Sequence, residues 1–212
     1  MSITVEAQPQ SLDVAERNRL VRRAQLLAWS SLGWMTVEGV VAVAAGIMAN
    51  SIALIGFGID SAIEGIASVI IIWRFWGSRA LSEAAERRAQ KLVAVSFFLL
   101  APYVAIEAVR ALVTSSEPGT SWLGIALTAS SAVLMPVFGI AKRRVGARLG
   151  SGATAAEGTQ NMLCAYLSLA VLAGLLVNTT LGWWWLDPLA ALFIAYVALR
   201  EGRESWRGGE CC

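Results

Sequence analysis

Histidine is absent from all 212 residues, only 15% of the side chains are charged, and there are three cysteines. Without histidine, Ser-His and Cys-His catalysis and HExxH zinc hydrolysis are excluded, and the chain is not expected to be an enzyme. Cys164 lies inside an apolar run, and Cys211 and Cys212 are adjacent. That spacing gives neither a disulfide framework nor a CxxC zinc knuckle. The formal net charge of +2 is too small to argue for a nucleic-acid partner. The first 23 residues are polar and carry Arg17, Arg19, Arg22 and Arg23. They hold no short apolar core of the kind a secretory signal needs.

Apolar surface is what the sequence has in excess. Hydrophobic residues make up 57% of the chain and the mean hydropathy is +0.62, against roughly 45–50% apolar and 25% charged in soluble domains. A chain this small leaves much of its surface exposed, so lipid is the expected solvent. A bilayer core needs about 20 apolar residues per helix, and six such stretches occur, at about 24–49, 52–76, 90–114, 121–141, 154–178 and 183–204. The expected fold is an all-α membrane protein, a six-transmembrane-helix bundle. Its divisions are a cytoplasmic arm (1–23), a transmembrane domain (24–206) and a short cytoplasmic tail (207–212).

The basic residues orient it. Sixteen of 17 Lys and Arg fall before the first span, around the second-to-third connection, in the run 142–152 (Lys142, Arg143, Arg144, Arg148) or near the end. The positive-inside rule then places both termini in the cytoplasm. Trp122 and Trp183 to Trp185 mark the opposite interface. The 15 arginines against two lysines, with abundant Ala, Gly and Val, suggest a GC-rich bacterial source and a plasma-membrane location.

Ionisable groups at membrane depth need a partner or a cavity. Asp60 and Glu64 sit one turn apart on one face of the second span, roughly 12 and 18 Å along it from Ile52. Two carboxylates this close repel unless they share a proton or a cation. The alternative is that both are protonated and bonded to hydroxyls as packing groups. The fifth span offers Glu157, Gln160, Asn161 and Cys164 on one stripe, a set of oxygen and sulfur donors. Taken singly, Cys164 reads as a small buried apolar residue and Gln160 and Asn161 as interhelical hydrogen-bonding groups. Glu38 is a candidate outer-sphere or proton-carrying group. Glu107 and Arg110 read as a mutual pair, Asp187-Pro188 as a helix start, and Glu210-Cys211-Cys212 as a solvated tail or a relay for a soft metal.

Ser51-Ile52-Ala53-Leu54 leading to Gly58-Ile59-Asp60-Ser61-Ala62-Ile63-Glu64 resembles the second-span signature of the cation diffusion facilitator (cation efflux) family, and Asp187-Pro188 through Ile194-Ala195 resembles its sixth-span motif. The likeness covers about residues 25–206, the transmembrane domain, and implies a short form without the family's cytosolic C-terminal domain. It implies a dimeric exporter of divalent transition metals, usually zinc, working by proton antiport and alternating access. Carried over by position, the metal ligands are Asp60, Glu64, Gln160 and Cys164, where the family's fifth span has histidine and aspartate. Glu157 and Glu38 are further candidates. No prosthetic group is expected. The expected partners are the bilayer, the transported divalent cation (Zn2+), protons and a second copy bound through the transmembrane helices. The competing reading is a non-transporting metal sensor or accessory subunit, which would bind metal without moving it.

Overall fold

In the computed structural model, residues 13–48, 52–114, 122–181 and 185–208 are described. Ser51, the 115–121 connection, Trp183, Trp184, Cys211 and Cys212 lie outside them. The described residues form six α-helices: α1 (Val14–Met48), α2 (Ile52–Arg74), α3 (Glu83–Thr114), α4 (Trp122–Leu149), α5 (Gly152–Leu181) and α6 (Leu186–Trp206). One 3₁₀ turn, Gly77–Leu81, joins α2 to α3. Helices α1 to α4 are long and apolar enough to cross a membrane. The chain is an all-α, multi-pass membrane bundle.

Large apolar side chains such as Val40, Ile59, Ile66, Leu99, Val133 and Phe193 face outward, while the interior holds many alanines and a set of buried polar residues beside larger apolar ones such as Phe97 and Ile71. That is the pattern of helices solvated by lipid and packed through small residues. Close backbone approaches mark two of the helix crossings. A Cβ on Gly58 would lie 2.9 Å from the Gly39 carbonyl oxygen, and one on Gly139 would lie 2.9 Å from that of Gly158. Glycine is required at both because a methyl group would meet backbone.

Helices extend further at one end than apolar length alone suggests. α1 continues through residues 14–23, the stretch read as a soluble arm, because Leu20 and Ala24 are buried in line with Ala28. The basic run read as a connection from 142 to 152 is helical to Leu149. The α4–α5 turn closes on Gly150 (φ +62°), with the Ser151 N–H donating to Gly146 O at 2.9 Å, a Schellman-type stop.

At that end the basic segments meet. Arg148 contacts Glu16, and Arg74 donates to Glu86 at 2.6 Å. Glu86 in turn accepts the Ala153 N–H at the start of α5 (2.9 Å), and Ser205 Oγ lies 3.2 Å from Gln90 O. Hence α1 runs antiparallel to α4, α2 to α5 and α3 to α6, and each pair is in contact. α2 and α5 meet inside a group completed by α1 and α4, and α3 with α6 flanks it.

Candidate metal centre

Asp60 and Glu64 leave α2 one turn apart on the stripe that also buries Ser61 and Ser68, as the 3.6-residue period requires. Across from them α5 buries Glu157, Gln160, Asn161 and Cys164. The structure brings Asp60, Glu64 and Cys164 together, with one donor atom from each lying within 4.8 Å of the others. All three are at most 3% exposed. Asp60 Oδ1 and both oxygens of Glu64 have no hydrogen-bond partner. Unanswered buried carboxylate oxygens cost several kcal/mol each on general grounds, so this arrangement calls for a cation or protons.

The remaining candidates are distributed around this triad. Gln160 is buried, and its Oε1 lies 3.0 Å from Ser96 Oγ on α3, while its Nε2 is without a partner. Glu38 is buried beside the acid pair, contacted by the hydroxyls of Ser131 on α4 and of Ser61 on α2 (3.2 Å to Glu38 Oε2). It therefore ties α1 to both neighbours. Glu157 is placed apart from the converging donors, because its Oε1 is taken by Lys142 at 2.6 Å. Asn161 likewise turns to Lys142, at 2.9 Å. Glu107 and Arg110 form the expected mutual pair at 2.9 Å.

Sequence reasoning missed Lys142. Counted with the cytoplasmic basic run, it is fully buried, and its ammonium group donates to Ser31, Glu157 and Asn161. Two methionines were also missed: Met35 and Met135 share a buried apolar cluster with Cys164.

An internal echo gives the signal that would have found the methionines. Ser31, Met35 and Gly39 on α1 recur as Ser131, Met135 and Gly139 on α4. Gly58, Asp60, Glu64 and Ser68 on α2 correspond to Gly158, Gln160, Cys164 and Ser168 on α5. Because the paired helices are antiparallel, these are two copies of one frame in inverted orientation, a construction found in secondary transporters with the binding site at the repeat interface.

A multi-pass helical membrane protein with unpartnered acids and a thiol converging inside an inverted repeat belongs to the class that handles cations within the bilayer. Residues 29–207 match the cation efflux transmembrane domain family, and the chain belongs to that family. It is similar to transmembrane protein 163 of Xenopus laevis, at 21% identity over 185 residues, 85% of this chain and 65% of that protein. It is also similar to an uncharacterised transporter of Synechocystis sp., at 24% identity over 166 residues, 74% of this chain and 54% of that protein. The chain thus spans less than two thirds of the length of either relative.

Proposed function

We propose that this chain moves a divalent transition-metal cation across the bilayer, outward from the cytoplasm and in exchange for protons, with zinc the ion its donors suit best. The observation that carries the reading is the convergence of Asp60, Glu64 and Cys164 with three buried carboxylate oxygens left unpartnered. Two hard oxygens and a soft sulfur match a tetrahedral zinc site better than an octahedral magnesium site.

Gln160 completes the set. The Ser96 hydroxyl has one proton, and Val93 O at 2.7 Å is nearer than Gln160 Oε1 at 3.0 Å. With that proton on Val93 O, Ser96 accepts from the Gln160 amide NH2, which satisfies the otherwise orphaned nitrogen. The Gln160 carbonyl oxygen is then free to serve as the fourth donor, an assignment of amide orientation made from the hydrogen-bond network.

Protons compete with metal for the same carboxylates, so metal affinity falls as pH falls and release couples to proton uptake. Rocking of α1/α2 against α4/α5 would expose the site to each side in turn. The strongly basic end of the bundle faces the cytoplasm under the positive-inside rule.

The test is zinc flux in vesicles holding the purified chain. Asp60→Ala with Glu64→Ala is expected to abolish proton-dependent flux and tight binding together. Wild-type flux in that variant refutes the site. A wild-type chain that binds zinc but carries none across a sealed bilayer is instead a metal sensor or accessory subunit.

A further inference from the structure

Lys142 occupies a position built for a cation. Its Nζ is held by Ser31 Oγ at 2.6 Å, Glu157 Oε1 at 2.6 Å and Asn161 Oδ1 at 2.9 Å, with donors from α1 and α5 closing around an ammonium group delivered by α4. All four residues are at most 2% exposed. The second oxygen of Glu157 is buried without a partner, so the single ammonium group does not exhaust the donors present. An aspartate or glutamate oxygen, an amide oxygen and a hydroxyl are the donor types that hard and borderline divalent cations accept.

The cage also lies on a route. On α5, Glu157 and Asn161 precede Cys164 by two turns and one turn, on the side of the helix start, where Glu86 and Arg74 gather. Ser31 lies on the same side of the Met35 level on α1, seven residues before Glu38. A cation coming from the basic end toward the triad therefore meets this cage first.

We propose that Ser31, Glu157 and Asn161 form a second cation-binding position one layer before the triad, filled at rest by the chain's own Lys142 ammonium group, which an incoming divalent ion displaces. The Lys142 side chain is a tethered competitor. It answers the Glu157 carboxylate while no metal is present, and it makes occupancy of the cage by metal weak, so that the ion passes on to the triad and is not retained. This rests on the reading of the triad as the metal site, and its test separates the two.

Zinc is titrated into the purified full-length chain and bound equivalents are counted. Wild type is expected to bind one equivalent tightly and a second weakly. In Lys142→Ala the second equivalent should tighten about tenfold or more, as removal of an intramolecular competitor requires. It should be lost again in Lys142→Ala with Glu157→Gln. It should persist when Asp60→Asn and Glu64→Gln, which remove the first equivalent, are added to Lys142→Ala. A second equivalent no tighter in Lys142→Ala than in wild type overturns the proposal. Failure of the triad reading shows separately, as a first equivalent that the Asp60 and Glu64 changes leave intact.

A measurement on the wild type stands if Lys142→Ala does not fold. A membrane-permeant amine-acylating reagent should modify Lys142 several-fold more in millimolar zinc than without metal, because the displaced ammonium group leaves its cage. Modification unchanged by zinc overturns the proposal.

Discussion

In the α1/α2 hairpin, Ser31, Met35 and Gly39 lie across from Gly58, Asp60 and Glu64, and in the α4/α5 hairpin, Ser131, Met135 and Gly139 lie across from Gly158, Gln160 and Cys164. The two frames cross at the same glycines and bury their serines and methionines at the same steps. They differ in charge. The first hairpin sends in Glu38, Asp60 and Glu64, with Ala42 at the fourth step of its outer helix. The second sends in two amides, Gln160 and Asn161, the Cys164 thiol and a single acid, Glu157, and where α1 has Ala42, α4 has Lys142. Packing thus fixes the frame twice over, and a few divergent positions leave one half with three buried acids and the other with a buried lysine paired to its own Glu157. Their hydroxyls cross that division, with Ser131 of the second hairpin bonded to Glu38 of the first and Ser31 of the first bonded to Lys142 of the second.

The sharpest way to break the comparison is to damage the shared frame. A Cβ on Gly58 would fall 2.5 Å from Val43 Cγ2 as well as against Gly39 O, and one on Gly139 would fall 2.8 Å from Met162 Cγ. Gly58→Ala and Gly139→Ala should each lower stability by about 1–3 kcal/mol, the usual range for overpacking. Gly33 has open space where its Cβ would be, so Gly33→Ala should be neutral or gain up to ~1 kcal/mol of helix propensity. Thermal unfolding in detergent reads all three. Two hairpins built on one frame should respond alike, and a loss at only one of them would show that the echo in sequence is not an echo in packing.

A smaller change tests the divergence. In the proposed site, Cys164 is the soft donor that the second hairpin contributes against two hard ones from the first. Cys164→Ser keeps the size and supplies oxygen. It should weaken cadmium binding more than zinc binding, by roughly tenfold in the ratio, because softer ions depend more on sulfur. Competition titration of the two metals measures that ratio. An unchanged ratio would remove Cys164 from the donor set while leaving the acid pair in place.

How much of this was readable in the chain follows from where each signal lies. Asp60 and Glu64 declare themselves because charge in an apolar run is anomalous and their spacing puts them on one face. Lys142 does not, because it stands beside Arg143, Arg144 and Arg148, and a basic run next to a span reads as a loop. Only the phase of α4 against α5 separates it from Arg144 and Arg148, which are exposed, and that phase is set by the Gly139–Gly158 crossing. The start of α1 was hidden for a related reason. Hydropathy marks the lipid-facing length of a helix, whereas residues 14–23 are held by one buried stripe on an otherwise polar surface. The Ser-Met-Gly echo was in the sequence throughout, but it is a few identities on an apolar background and gains meaning only when the antiparallel pairing of α1 with α4 is known.

The mildest perturbation asks whether every acid in the spans belongs to the machinery. Glu107 and Arg110 lie outside both hairpins, on α3, paired at 2.9 Å, with side chains 34% and 56% exposed. A pair of this kind, three residues apart on one helix and open to its surroundings, is generally worth less than about 0.5 kcal/mol. Neither residue reaches the triad or the Lys142 cage by any hydrogen bond described above. Glu107→Gln should therefore leave zinc stoichiometry, zinc affinity and flux at wild-type levels and move the melting temperature by no more than a degree or two. A substantial loss of flux with folding intact would mean that α3 carries part of the cation's path, and that the two hairpins alone do not contain it.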